Sequence, residues 1–492
     1  MFSANKITKN SSIIFFNRLI NPIITVVLVI YVARYLSVED MGKYSFIRSY
    51  FSIFMVIASF GLQRPLIRDM AKNQKSAGVY FFNSALLGFV SSIVMIGIAS
   101  VIVNVANYSA DVKTGVYIIS FSLLATTMNE YCQAVFAAFE KFGQNTIIIL
   151  FSSVLRTVAA ILFLIFGYGI FALITVILVA NFIELFLKLV VVKKMIGRIP
   201  LNIDPLFQKN LARMIPTFTL ISALSVIYWR IDILMLSKMM TMVDVGIYAA
   251  AYRLMETCKG LPLSIARAMF PGLSQICGSD AARAKETTKK VLKWTAIIIF
   301  PLAAGTSILS DEIIFFFYKT KFMASVPVLQ ILIWTIVPYG FAMILANLLV
   351  ASNLQKYDLY VNLLSFGLNL VLNYFFIKKF SYLGASYATI ISISVFFVLQ
   401  NFFVRKHLFS IKYFNLLFKP VFATTGMALF LFCSNNIHLL FRVFVACFIY
   451  FGLLGFLKTF TQDELSRLGL TKPEHGFGFF FKSKILKIRI VE

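Results

Sequence analysis

The sequence predicts an all-α integral membrane protein of about 14 transmembrane helices: two pseudo-symmetric six-helix lobes and two extra C-terminal helices. Three observations carry this. The 492 residues are 60% hydrophobic and only 13% charged, with a mean hydropathy of +0.87, far from the composition of soluble domains. Apolar runs of about 20 to 25 residues recur along nearly the whole chain, each long enough as a helix to cross roughly 30 Å of hydrocarbon. A sequence pattern also repeats between the halves. Spanning β-strands would need only about 10 alternating residues each, so run length and pattern exclude a barrel.

The expected spans are 12–36, 44–66, 79–104, 114–138, 146–167 and 169–192 in the first lobe, then 214–237, 245–270, 294–318, 326–351, 358–378 and 382–404 in the second. Spans 413–434 and 437–457 follow. These set the domain expectations as 1–198, 199–410 and 411–459, with a basic cytoplasmic tail at 460–492. The apolar run after "MFSANKITKNSS" is longer than a signal h-region and lacks a small-residue cleavage site, so it is expected to stay as the first span.

Loop charge tests the count. With the N-terminus inside, the inner segments hold Lys72 and Lys75, then Lys193, Lys194, Arg198, Lys209 and Arg213. Arg283, Lys285, Lys289, Lys290 and Lys293 come next, then Arg405, Lys406, Lys412, Lys419 and the tail ending "FKSKILKIRI". About 29 basic residues fall inside, about 9 outside and about 8 within spans, as the positive-inside rule demands. Both termini are therefore expected in the cytoplasm. Segment 279–293, "SDAARAKETTKKVLK", is expected to lie along the inner surface as a basic amphipathic helix.

The formal charge of +26 follows alternate loops instead of one domain, so topology and anionic headgroups account for it and no nucleic-acid partner is implied. The five cysteines (Cys132, Cys258, Cys277, Cys433, Cys447) are scattered and mostly apolar in context, which argues against a disulfide framework. The three histidines (His407, His438, His475) have no ligand spacing, so neither metal nor cofactor is implied. The short outer loops leave little room for the catalytic loop of a glycan polymerase or ligase.

The repeat lies in "EDMGKYSFIRSY" and "VDVGIYAAAYRL". Both read Asp-x-Gly-x-Tyr, at Asp40, Gly42, Tyr44 and at Asp244, Gly246, Tyr248, followed about one turn on by Arg48 or Arg253. "FEKF" with Lys141 matches "LQKY" with Lys356, and Gly169 matches Gly384. Six spans separate equivalent points, so the copies share one orientation about an axis along the membrane normal. Two such lobes enclose a cleft, and rocking them exposes it to each side in turn.

Ionisable groups inside spans cost at least about 2.5 kcal/mol in hydrocarbon, so they usually face an interior and find a partner. In "IYWRIDILML", Arg230 and Asp232 project to nearly opposite sides of a helix and need separate partners. Arg253 and Glu256 share a face. Arg48, Arg230, Asp232, Arg253 and Glu256 fall in the outer half, with Arg18 and Arg156 deeper. A cationic cleft moderated by two acids is one reading; helix clamping or snorkelling is the other. Lys188 with Glu184 suits the clamp, as do Arg64, Arg68 and Asp69. Asn129, Glu130 and Gln133 could line the cleft or bond across helices. Gly260, Pro262 and Pro271 mark a hinge or plain packing in the eighth span.

"YWRIDILML", "DVGIYAAAYRLME", the "LP" break and "AMFPGLS" resemble the second-lobe signature of polysaccharide transporters of the O-antigen flippase type; "ANLLVASNLQKY" and "YLGASYATIIS" resemble its spans ten and twelve. The likeness covers most of residues 12–405. It implies the fold of the multidrug and oligosaccharidyl-lipid exporters, with a V-shaped central cavity, and transport of undecaprenyl-diphosphate-linked sugars to the outer leaflet of the cytoplasmic membrane. "YRLME" is similar to the "DRLME" of relatives that flip lipid-linked peptidoglycan precursor through a basic cavity. The expected substrate-binding residues are Arg48, Arg230, Arg253 and Arg18, with Asp232, Glu256 and Glu130 balancing charge or coupling to an ion. H+ or Na+ is the candidate ion, and other polysaccharide assembly proteins are candidate partners. The alternative is a multidrug or small-molecule exporter of the same fold.

Overall fold

The computed structural model describes residues 24, 26–197, 200–277, 280–434 and 438–460, without the side chains at 206, 210, 217, 221 and 271. Among the described residues the chain is helical and has no strand. Residues up to Ile411 form one unit and those from Lys412 another.

In the first unit, α1 (Val26–Tyr35), α2 (Val38–Ala58), α3 (Gln63–Lys72), α4 (Ala77–Val105), α5 (Ala110–Ser120), α6 (Ser122–Ala138), α7 (Phe142–Ile165) and α8 (Gly169–Ile196) come first. Then follow α9 (Pro205–Met239), α10 (Met242–Ile276), α11 (Ala281–Ile308), α12 (Ser310–Tyr318), α13 (Val326–Leu332), α14 (Ile336–Ala351) and α15 (Gln355–His407).

Ten helical stretches among the described residues are long and apolar enough to cross a membrane. The distance from the expected fourteen has local causes. The 53-residue α15 holds two spans, because Ser381 takes φ 50° and ψ −131° and turns the chain back. The fourth span is cut into α5 and α6 at Phe121, leaving pieces of 11 and 17 residues. Charges at Asp244, Arg253, Glu256, Lys259 and Arg267 disqualify α10 on composition. Most of the expected first span lies outside the described residues, and α1 is its later part.

Two expectations shift. Residues 281–293 are the start of α11, continuous with the ninth span, and not a separate surface helix. The "FEKF" turn ends α6 at Glu140 (φ 57°) with Lys141 N bonded to Phe136 O at 2.8 Å. Its geometric counterpart in the second lobe is Asn353 (φ 58°), with Leu354 N bonded to Leu349 O at 2.8 Å, so Lys141 corresponds to Leu354 and not to Lys356.

Polar side chains of the first lobe turn inward. Ser92 donates to Gly88 O at 2.7 Å and to Thr127 Oγ1 at 3.1 Å, joining α4 to α6. Small residues let the helices approach: a Cβ at Gly88 would overlap the Tyr131 ring. Outward positions such as Val101, Val105, Phe151, Phe166 and Phe186 are exposed and apolar, as a lipid-facing surface requires.

In the second unit α16 (Tyr413–Cys433) packs on α17 (Leu439–Phe456). Arg442, 1% exposed, donates to Leu431 O at 2.7 Å and Ser434 Oγ at 3.3 Å, satisfying the carbonyl end of α16 where a cation is favoured. The 460–492 tail lies outside the described residues beyond Phe460.

Candidate functional site

The repeated Asp-x-Gly-x-Tyr pattern begins helices α2 and α10, and each of its residues has a physical task. Ser37 Oγ accepts from Asp40 N at 3.0 Å and donates to the Asp40 carboxylate at 2.7 Å. Thr241 and Asp244 form a full capping box, the carboxylate accepting from Thr241 N at 3.1 Å and Oγ1 at 2.6 Å. Both helix starts thereby satisfy their free N–H groups and place an acid where the helix dipole favours it.

The glycines join the lobes. A Cβ at Gly42 would overlap Met242 O, and one at Gly246 would overlap Val38 O. Only side-chain-free positions allow α2 and α10 to pack along each other this closely. Nearby, Lys238 Nζ donates to Ala106 O at 2.5 Å, Lys321 Nζ to Arg34 O at 3.3 Å, and Tyr108 and Ser237 share a hydrogen bond of 3.1 Å.

The lobes also touch at the other end of α2. There Phe60 (φ 55°) and Gly61 (φ 60°) break the helix, and Thr219 Oγ1 of α9 donates to Phe60 O at 3.2 Å. A Cβ at Gly61 would strike Ser222 and Phe218 O. Leu211 of α9 joins the first-lobe core with Leu62, Leu66 and Met70, and Asn83 of α4 holds the approach to α9 through Asn202 O, Asp204 N and Gln208 Nε2.

Between these ends sits a cluster of cations. Arg48 of α2 is exposed and donates to Tyr44 Oη at 3.0 Å. Arg230 of α9 reaches Glu256 Oε1 at 3.1 Å, and Arg253 of α10 reaches Glu256 Oε2 at 3.3 Å. One carboxylate thus bridges two guanidiniums. Arg230, Arg253 and Glu256 keep 26%, 30% and 26% of their side-chain surface open. Arg253 also lines a small opening with Val26 and Val29 of α1 and Phe317 of α12.

The charges of the two lobes act on one another. Arg156 of α7 donates to Ser153 Oγ of its own helix at 3.2 Å and lies within electrostatic reach of Arg48 and Arg253, as Arg48 does of Glu256. Lys259, one turn beyond Glu256, adds a fifth cation; its Nζ stands 3.1 Å from the Trp229 ring centre. Sequence reasoning kept Arg156 outside the expected binding set and did not single out Lys259. The i, i+3 spacing from Glu256 was a usable signal for Lys259.

The other expected residues lie elsewhere. Asp232, 2% exposed, accepts from Tyr248 Oη at 2.9 Å, Asn373 Nδ2 at 2.7 Å and Thr389 Oγ1 at 2.8 Å, inside the second lobe and away from Arg230. Tyr44 and Tyr248, equivalent in the repeat, therefore serve an arginine in one lobe and an aspartate in the other. Glu130 of α6 lies near Ser59 and Lys188. Lys188, fully buried, pairs with Glu184 at 2.5 Å. Arg68 is exposed and pairs with its neighbour Asp69. Pro262 packs against Gly340 of α14, while α10 runs unbroken past it, which favours packing over a hinge. Arg18 lies outside the described residues.

The sequence profile of the family described as polysaccharide biosynthesis protein matches residues 31–327, more than half of the chain and most of both lobes. The chain belongs to this family. It is 26% identical over 187 residues to a protein of Haloferax volcanii named probable low-salt glycan biosynthesis flippase Agl15; the match covers 38% of this chain and 39% of that relative. The chain thus spans about two fifths of the length of that curated relative. Among solved structures, a lipid II flippase MurJ in an inward closed conformation superposes with a TM-score of 0.77 at 16% identity, covering 92% of this chain and 98% of the other. An inward-facing multidrug resistance MATE family transporter of the MOP superfamily gives 0.67 at 12% identity, with 79% and 94% covered. The family member described here therefore has the MOP fold, with two six-helix lobes about a central cavity.

Proposed function

We propose that this chain is a flippase that carries an undecaprenyl-diphosphate-linked oligosaccharide from the inner to the outer leaflet of the cytoplasmic membrane by alternating access, for cell-surface polysaccharide such as O-antigen or capsule. One observation carries the proposal: Arg230 and Arg253 share the Glu256 carboxylate with Lys259 one turn further along α10, and Arg48 lies midway along α2, the first-lobe helix that packs along α10. A diphosphate needs cationic donors, and guanidiniums bind its oxygens in pairs. In a poorly hydrated cleft that attraction far exceeds its value in water. The polyprenyl tail stays in lipid, so only the charged head needs the cleft. Because the cations come from both lobes, a bound diphosphate draws the lobes together and links binding to rocking.

Asp232 supports ion coupling, with H+ or Na+ as the ion. Its carboxylate is enclosed by oxygen- and nitrogen-bearing groups of Tyr248, Asn373 and Thr389 on three helices, so a change in its charge is transmitted to all three. Glu256 balances the arginines. Basic loops set the orientation, with both termini in the cytoplasm and the Gly42–Gly246 end outward.

The multidrug alternative draws on the shared fold, but a net-positive cleft repels the cationic compounds such exporters usually carry. Complementation of a flippase-deficient strain tests the assignment. Arg48→Ala and Arg253→Ala at normal protein levels should each fail to restore surface polysaccharide; full restoration by both rejects it.

A further inference from the structure

We propose that Trp229, Tyr339 and Lys259 form a subsite for the sugar next to the diphosphate, with Lys259 covering the indole face until the substrate arrives. The inference rests on the flippase reading above and goes beyond it by naming the groups that hold the saccharide.

Three features point there. First, Lys259 is a cation inside a transmembrane helix, yet among the described residues no carboxylate lies within ion-pair distance of its ammonium. It sits 3.1 Å from the centre of the Trp229 ring and 5.5 Å from that of Tyr339. An aromatic face substitutes for an anion there, a contact weaker than a charged hydrogen bond to phosphate. Second, the ring is held in place. The rings of Tyr339 and Tyr228 meet the indole at 5.2 Å and 90° and at 5.3 Å and 79°, and Tyr252 Oη anchors the backbone there by donating to the Trp229 carbonyl at 2.7 Å. Neighbouring rings set at right angles hold the indole in one orientation. Third, the platform adjoins the diphosphate donors: Trp229 precedes Arg230 in α9, and the charge of Lys259 interacts with both Glu256 and Arg230.

The sequence of events follows from these strengths. A diphosphate at Arg230 and Arg253 offers Lys259 a full anion, so the ammonium leaves the ring. The uncovered indole then meets the C–H face of the first pyranose, which carries a weak positive edge and stacks on π-electrons. No covalent bond changes. Because any pyranose presents such a face, this subsite recognises a sugar ring as a class and leaves its substituents to the remainder of the cleft.

Binding of two lipids to the purified full-length protein in nanodiscs tests this: undecaprenyl diphosphate, and the same lipid bearing one hexose. Trp229→Leu should weaken the hexose-bearing lipid about tenfold while changing the sugar-free lipid by less than about twofold. Lys259→Met should weaken both by a similar factor. Trp229→Phe, which keeps a ring, should lie between wild type and Trp229→Leu and serves if the leucine variant does not fold. In a protein whose other tryptophans are replaced (Trp294→Phe, Trp334→Phe), Trp229 emission should change with both lipids, more with the hexose. Equal losses for both lipids in the Trp229 variants, or none, overturn the sugar subsite; no effect of Lys259→Met overturns its part. If Arg253→Ala leaves both affinities unchanged, the diphosphate reading fails instead, a result distinct from either.

Discussion

Gly42 and Gly246 face each other across the two lobes, each so near the start of the opposing helix that a Cβ would overlap a backbone carbonyl. They occupy equivalent positions in the repeat, so the lobes meet here in one pseudo-symmetric contact. Gly42→Val and Gly246→Val should each hold the lobes apart there, at a cost of about 1–3 kcal/mol to the closed arrangement. Spin labels placed on α5 and α12 should then report a longer mean distance; an unchanged distance distribution in both variants would mean the contact is incidental.

The Asp232 cage predicts a stability effect separate from transport. Asp232→Ala leaves donors on Tyr248, Asn373 and Thr389 without an acceptor, a loss of about 1–3 kcal/mol per stranded group in a buried site. Thermal unfolding in detergent should fall by several degrees. Asp232→Asn keeps an acceptor, so it should lose less stability while abolishing dependence of transport on an H+ or Na+ gradient. Retained gradient dependence in Asp232→Asn would place coupling elsewhere.

Lys188 and Glu184 make a buried pair in the first lobe, apart from the cleft. Removing either partner alone strands a charge and should cost about 3–5 kcal/mol, whereas replacing both with apolar residues of similar size should recover most of it. A double-mutant cycle on thermal stability measures this. Additive losses would show that the two charges do not depend on each other.

Orientation is directly accessible. Cysteines at Lys75 and at Asn107 in a cysteine-free background should react with an impermeant maleimide from opposite sides of the membrane, Lys75→Cys only from the cytoplasm. Labelling of both from one side contradicts the assigned topology.

Much of this was legible in the sequence, and the parts that were not share a cause. Apolar run length located most of the helices, because hydrocarbon thickness fixes the length of a helix that crosses it, but it could not show the cut at Phe121 or the start of α11 at Ala281. The duplicated Arg48 and Arg253 stood out because the repeat has few other charges inside spans. The opposed directions of Arg230 and Asp232 also followed from helix geometry, and the structure sends one to Glu256 and the other to Asn373. What neighbours in space supply was hidden. Nothing local distinguishes an acid caged by hydrogen bonds from one bridging two arginines, so Asp232 and Glu256 read alike. Lys259 was passed over because its partner is a ring 30 positions earlier in the chain, on the preceding helix α9. The aspartates of the repeat looked chemical, yet Asp40 and Asp244 cap helices. A Ser or Thr three residues before each was the missed signal.

Transport by purified protein in liposomes addresses the cationic cleft most directly. Wild-type protein should move fluorescent undecaprenyl-diphosphate saccharide between leaflets, and Arg48→Ala and Arg253→Ala should each slow it at least about tenfold, with the corresponding lysine variants intermediate. Wild-type rates in both alanine variants, with folding intact, would contradict a diphosphate held by arginines of the two lobes.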